Sequence, residues 1–357
     1  MKTFSAHGLR TAIFGFLLLL VLAGCGSNTG TTGSAPATSS TPVTLNLGYF
    51  GNLTHSAALV GIGNGTYKKD LSSNVTLKTT TFNAGPTEMT ALLAGSIDIA
   101  FVGPSPAINA YTQSHNTALK VIAGASSAGV EFVVQANENI TSAADLAGKK
   151  IADPQKGGTQ DVALRNYLQQ NGLKPADKGG NVQIVSTDNA SILSLFEQGK
   201  IDGAWMPEPW ATRLVVEGKG KVFLNESSLW SGGQFATTIV VVRQVFLTAH
   251  PDVVNQFLKA EVAVVQYVKT NATAAAQIAN QEITTITGSG VKSNELATAF
   301  GDLLVTYDPL ASTITEQASR SYALGFVTTK PDLSSFYDLG PLNAVLTAQG
   351  LPTVSAS

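Results

Sequence analysis

The sequence predicts a mixed α/β fold built as two lobes, and three observations carry that expectation. From residue 43 onward, apolar runs rich in β-branched residues alternate with helical patterns, the mark of α/β units around a mainly parallel sheet. About 315 residues follow the N-terminal segments, more than one hydrophobic core usually absorbs. One stretch also recurs in outline: LLAGSIDIAFVGPSP at residues 92–106 returns as LFEQGKIDGAWMPEP at residues 195–209.

The first residues read as a secretory signal peptide over residues 1–24. Lys2 and Arg10 form a positive start, residues 12–21 an apolar run, and Leu22, Ala23 and Gly24 a small-residue cleavage site. The run is short for a span, which needs roughly 20 apolar residues. Cys25 is the single cysteine of the chain, so a disulfide framework is excluded. Its place after Leu-Ala-Gly resembles the lipobox of bacterial lipoproteins, which implies lipidation of Cys25 and attachment to the outer face of a membrane or within the periplasm.

The next segment, to residue 42, is GSNTGTTGSAPATSSTP, uncharged and too polar to bury a core; with Cys25 it forms an anchored, flexible tether over residues 25–42. Without the leader, 20 Lys and Arg face 24 Asp and Glu, a formal charge of about −4. That balance gives no case for nucleic acid as a partner.

Strands are expected at residues 44–50, 97–102, 182–185 and 239–242, each an apolar β-branched run. Leu164, Tyr167 and Leu168 share one helical face, as do Val254, Phe257, Leu258, Val265 and Val268 in the segment opened by Pro251. In the echoed stretch Gly95 matches Gly199, Asp98 matches Asp202, and Phe101 matches Trp205. Each copy reads as a helix closed by a C-cap glycine, a short strand, and a proline-containing loop. Residues 125–134 are expected to cross from the first lobe to the second, and residues 235–242 to cross back. The first lobe is thus expected at 43–129 plus 240–357 and the second at 130–239.

Several stretches resemble one family: ALLAGSIDIAFVGPSPAINAY at 91–111, ITSAADLAGKKIADPQKGGTQDVALRNYL at 140–168, GKIDGAWMPEPWATRL at 199–214 and VVVRQVFLTAHPDVVNQFLKA at 240–260. They are similar to the nitrate, sulfonate, taurine and bicarbonate group of binding proteins of ABC importers, nearest to its aliphatic-sulfonate binders. The resemblance implies a type II periplasmic-binding-protein-like fold, with a ligand cleft between lobes joined by two crossover segments. It implies a monomer that captures a small anionic solute and delivers it to a permease and an ATPase, without a cofactor or metal.

Open α/β sheets bind ligands beyond the carboxyl ends of their strands, where loops run into helix N-termini. Five loops qualify. Asn52, Thr54 and His55 lie in the first and Asn83 and Gly85 in the second; Gly103 and Ser105 follow in the third, Gly157, Gly158 and Thr159 in the fourth, and Glu208 and Trp210 in the fifth. Helix N-termini bind anions through unpartnered backbone N–H groups and a partial positive charge, with no basic side chain required. Lys156 is the one formal cation in these loops. A sulfonate, ionised at every physiological pH, suits that arrangement.

Ser105 and Thr159 either contact ligand or cap their helices. His55 either touches the anion, senses pH, or is a plain loop residue. Trp205 is expected in the core and Trp210 at the cleft rim. Glu208 either recognises an amino group, as in a taurine-like ligand, or holds its loop. No H-E-x-x-H, G-x-S-x-G or P-loop pattern occurs, so metal and nucleophilic chemistry have no sequence case. Nitrate wants a smaller, more basic pocket and bicarbonate a metal. A pyrimidine-type thiamin precursor and an exported enzyme on the same fold complete the alternatives.

Overall fold

A computed structural model describes residues 41–356. The leader, Cys25 and the tether up to residue 40 lie outside the described residues. Among the described residues, no helix is long and apolar enough to cross a membrane.

Among the described residues, eleven strands form two sheets. The chain runs through β1 (Val43–Phe50), β2 (Val75–Phe82), β3 (Ile99–Val102), β4 (Leu119–Ala128), β5 (Val130–Gln135) and β6 (Lys150–Asp153). It continues through β7 (Gln183–Ser186), β8 (Gly203–Pro207), β9 (Gly220–Asn225), β10 (Ala236–Arg243) and β11 (Leu303–Val305). The first sheet has the order β11-β4-β10-β3-β1-β2 and the second β7-β6-β8-β5-β9. In each, three strands are parallel, β2-β1-β3 and β7-β6-β8, and the strand arriving from the other lobe lies antiparallel beside them, β10 on β3 and β5 on β8. The two lobes therefore share one plan.

The chain crosses twice. Only Gly129 separates β4 of the first sheet from β5 of the second. The return lies ahead of β10, all of whose residues belong to the first sheet, so the expected 239/240 boundary falls inside that strand. Phe235 still packs in the second lobe's core with Trp205 and Trp230, whereas Ala236 packs in the first.

Central strands are buried on both faces because helices cover both: Ile239, Val240, Val241 and Val242 are fully buried in β10. The helix Pro251–Thr270 starts on proline, whose missing N–H costs nothing there, and turns Val254, Phe257, Leu258 and Val265 onto the first sheet. Each such side chain contributes about 1.5–3 kcal/mol. Leu164 and Leu168 of the helix Thr159–Gln170 do the same in the second lobe, with Tyr167 partly buried beside them.

The echo in the sequence is an echo in structure. The helices Gly85–Leu93 and Asn189–Glu197 each lead to a glycine in the left-handed region, Gly95 (φ 75°) and Gly199 (φ 64°), which only glycine adopts without strain. Asp98 and Asp202 then bind the edge of the neighbouring parallel strand. Asp98 Oδ2 accepts the Asn46 N–H at 3.1 Å and Asp202 Oδ2 the Lys150 N–H at 2.6 Å. Their backbone N–H groups donate to Asn46 and Lys150, both at 2.8 Å. β3 and β8 follow, and after each a loop enters the cleft.

Candidate ligand cleft between the lobes

The carboxyl ends of β1, β2, β3 and β6 feed loops into the space between the sheets. A cavity there, with about 40 Å³ open to water, is walled by Asn52, Thr54, His55, Asn83, Gly85, Gly103, Gly158 and Thr159, all expected site residues. Phe50, Gln155, Asn189, Thr237 and Thr238 complete its polar and aromatic walls. Among the described residues, no Lys, Arg, Asp or Glu lines it. A wider pocket of about 370 Å³ adjoins it through Asn52, Asn83 and Asn189, and carries Asp188, Glu197, Trp210 and Arg213.

Four helices begin at this cavity with no side-chain cap: Ser56–Gly63 after His55, Gly85–Leu93 after Ala84, Pro104–Gln113 after Gly103, and Thr159–Gln170 after Gly158. Helix first turns carry N–H groups without intrahelical partners and a positive dipole end. Here the Ser56 N–H donates to the Leu53 carbonyl and the Ser105 N–H to the Thr159 hydroxyl, and no side chain of its own cap residue serves any of the four. By contrast, the helix Asn189–Glu197 is capped by Asp188, whose carboxylate accepts the Ser191 N–H at 2.9 Å. Three side-chain atoms of the cavity wall, Gln155 Oε1, Asn189 Oδ1 and Thr238 Oγ1, are buried without a hydrogen-bond partner, as is Ser105 Oγ behind it. Buried polar atoms are rarely left so, and here they mark a place built for a polar guest.

Neither Ser105 nor Thr159 caps its helix. Gly103 and Gly158 are the N-cap residues, and the Thr159 hydroxyl instead faces the Ser105 N–H of the first lobe at 3.4 Å. Gly103 is required at this approach, since a Cβ there would run into the Thr159 hydroxyl. Gln155 Nε2 and Thr87 Oγ1 meet similarly at 3.4 Å.

His55 is buried, stacks on Phe50 with ring centroids 4.3 Å apart, and accepts the Phe50 N–H on Nδ1 at 3.3 Å. Burial holds its imidazole at about 3, so it is neutral at working pH and acts as no pH sensor there.

Four expected residues do not line the smaller cavity. Gly157, at φ 78°, donates its N–H to Asp161 at 2.8 Å and does not line the cavity. Ser105 lies just behind the wall, reaching Thr159 through its backbone. Trp210 is buried rather than rim-like: its indole N–H donates to Asn52 Oδ1 at 3.0 Å, and Arg213 stacks on its ring. Glu208 is fully buried and accepts the Thr212 N–H at 3.2 Å and hydroxyl at 3.1 Å, which is the loop-holding role. Lys156 turns away to Asp177, 3.8 Å distant, and Trp205 is core, donating to Glu226 at 2.7 Å.

Sequence reasoning missed Asn189, Thr237 and Thr238. Two threonines inside the otherwise apolar run FATTIVVV were the available signal.

Comparison with known proteins places the chain. The NMT1-like family matches residues 38–283. The taurine-binding periplasmic protein of Escherichia coli K12 is 30% identical over 206 residues, 57% of this chain; the match spans 61% of that protein's length. Among solved structures, the alkanesulfonate-binding protein of Xanthomonas axonopodis pv. citri bound to MOPS superposes with a TM-score of 0.70 at 17% identity, covering 84% of this chain and all of that one. The desulfurization enzyme DSZB has a TM-score of 0.65 at 15% identity, covering 86% and 99%. These structures share the two-lobed α/β fold with this chain.

Proposed function

Because the chain belongs to the NMT1-like family, we propose that it is an extracytoplasmic solute-binding protein of an ABC importer, and that its cargo is an aliphatic sulfonate. The observation that carries the reading is the convergence of four uncapped helix N-termini on a cavity without charged side chains. A sulfonate has three oxygens that stay ionised and accept N–H donors from several directions, so peptide dipoles alone compensate its charge. Its alkyl tail has the adjoining pocket, where Leu193 and Trp210 offer apolar surface.

Nitrate and bicarbonate are weaker fits to the wall. Nitrate leaves the adjoining pocket unused, and bicarbonate finds no carboxylate among the residues lining the smaller cavity that could hold a metal beside it. Taurine is the second reading, favoured by the 30% identical relative and by Asp188 and Glu197, whose carboxylates border the adjoining pocket and suit an ammonium group. The protein acts as a monomer, its partners a permease and an ATPase, and it is held to the membrane by lipid on Cys25.

Thermal-shift and calorimetric titration against alkanesulfonates, taurine, nitrate, bicarbonate and a pyrimidine tests the cargo. A solute that binds only the native state adds RT ln(1 + [L]/Kd), about 2.7 kcal/mol at 100 times Kd. Stabilisation by another class with none from any sulfonate refutes the assignment. Recovery of the bound solute chemically altered refutes the receptor role in favour of an enzyme. Replacing Cys25 with serine is expected to free the protein from the membrane fraction.

A further inference from the structure

The shorter crossing is a tight one. Ala128 (φ 62°) and Gly129 (φ 68°) both lie in the left-handed region, an uncommon conformation for the alanine. Leu303 pairs with Ala128, which brings the preceding residue, Asp302, to the crossing from the first lobe. From the second lobe come Glu131, two residues beyond Gly129, and Glu208, whose N–H donates to the Gly129 carbonyl at 2.9 Å. The Glu208 carbonyl in turn accepts the Leu53 N–H of the first lobe at 2.9 Å, so this point ties the lobes together.

Three carboxylates thus come to the point where the chain crosses between lobes, two of them buried and Asp302 half-buried. Asn225 donates to Glu131 at 3.3 Å and Thr212 to Glu208, but among the described residues no cation pairs with any of the three. The charged groups on neighbouring elements are engaged elsewhere. Arg213 pairs with Glu217, Lys292 with Glu295, Lys269 lies over Tyr307, and Glu226 is bonded by Trp205 and Trp230. The three carboxylates do not form a group that could hold a metal ion.

We propose that Glu131, Glu208 and Asp302 make closure of the lobes proton-linked: protonated, they let the lobes pack at the crossing, and ionised, they repel across it and favour opening. Burial, reinforced by the Asp302 charge, pushes Glu131 up to about 7; burial, reinforced by Glu131 and then by Asp302, pushes Glu208 up to about 8; burial also raises Asp302. Acids with raised values favour the packed form: for the two glutamates that contribution is full below their ordinary value of 4.5 and is lost as pH rises from there through the raised values. A receptor so built releases its cargo more readily on the alkaline side. The proposal rests on the hinged-receptor reading but not on which solute is carried.

Small-angle scattering of the chain without added solute, from about pH 5.5 to about pH 9, reads lobe separation directly. The expected result is a rise in radius of gyration that builds as pH climbs from the ordinary carboxylate range and is complete by about pH 8. Asp302→Asn and Glu131→Gln, each checked for folding by circular dichroism at low pH, are expected to lose most of that rise. A wild-type radius indifferent to pH overturns the proposal, as do folded variants that keep the whole step. A chain that binds no sulfonate yet opens with pH supports the proposal while refuting the cargo.

Discussion

The indole N–H of Trp210 donates to Asn52 Oδ1 over 3.0 Å and so joins the second lobe to the first at the wall of the cleft. Asn189 Nδ2 approaches the same oxygen at 3.4 Å. One amide oxygen of the first lobe therefore collects two donors of the second, an arrangement that exists only when the lobes are together.

Replacing Trp210 with phenylalanine removes the stronger donor and keeps most of the ring packing under Arg213. A net hydrogen bond is worth about 1 kcal/mol, so solute affinity is expected to fall roughly fivefold. The unfolding midpoint of the unliganded protein should move by less than about 4 °C. Calorimetric titration and a melting curve check the two parts separately, and an unchanged affinity removes the latch.

Gly103→Ala places a methyl group against the Thr159 hydroxyl across the cleft. The lobes themselves have no need of that approach, so the variant is expected to fold normally but to close poorly. An affinity loss of at least about tenfold, some 1.4 kcal/mol, is expected. Pairing it with Thr159→Gly should recover closure, read as a smaller radius of gyration.

His55 is held near 3 by burial, so its ring resonances should stay fixed between about pH 5 and about pH 8 in the folded protein. The sign for stability follows: the unfolded chain takes up a proton below the ordinary value near 6.5, so the contribution of His55 is full above it and shrinks as pH falls towards 3. His55→Gln should flatten that part of the stability profile, measured by urea unfolding. A His55 resonance titrating near 6.5 contradicts the buried neutral ring.

Asp202→Ala leaves the Lys150 N–H without its side-chain acceptor at the start of β6. The expected cost is about 1–2 kcal/mol in denaturant unfolding of the second lobe, and Asp98→Ala should cost the first lobe a similar amount. Asp98 also pairs with Arg243 at 2.6 Å, so the two losses need not be equal.

Much of this architecture was legible in the chain. β10 was readable as a run of valines and the helix from Pro251 as a stripe of apolar residues, because periodicity reports directly which face must leave water. The repeat around Asp98 and Asp202 announced two lobes of one plan, since the same local problem, closing a helix and pinning the next strand, had received the same residues twice.

The cleft was legible only in part. Asn52, Thr54, His55, Asn83, Gly85, Gly103, Gly158 and Thr159 could be named because loops after parallel strands point to one side of a sheet. Which of two roles each would take could not be read. Thr159, open between cap and ligand contact, caps nothing and faces the opposite lobe; Trp210, expected at the rim, borders the adjoining pocket as a buried donor to Asn52.

The sequence by itself determined what depends on neighbours along the chain: strand and helix, the C-cap glycines, the two-lobed plan, and loops whose backbone suits an anion. Only the tertiary structure decided what depends on residues far apart in sequence. It turned Lys156 out to Asp177, drove His55 to neutrality under Phe50, and set Glu131 and Glu208 beside Asp302 with no counter-charge. Burial and facing partners fix protonation and contact, and both are properties of the packed chain, not of any segment of it.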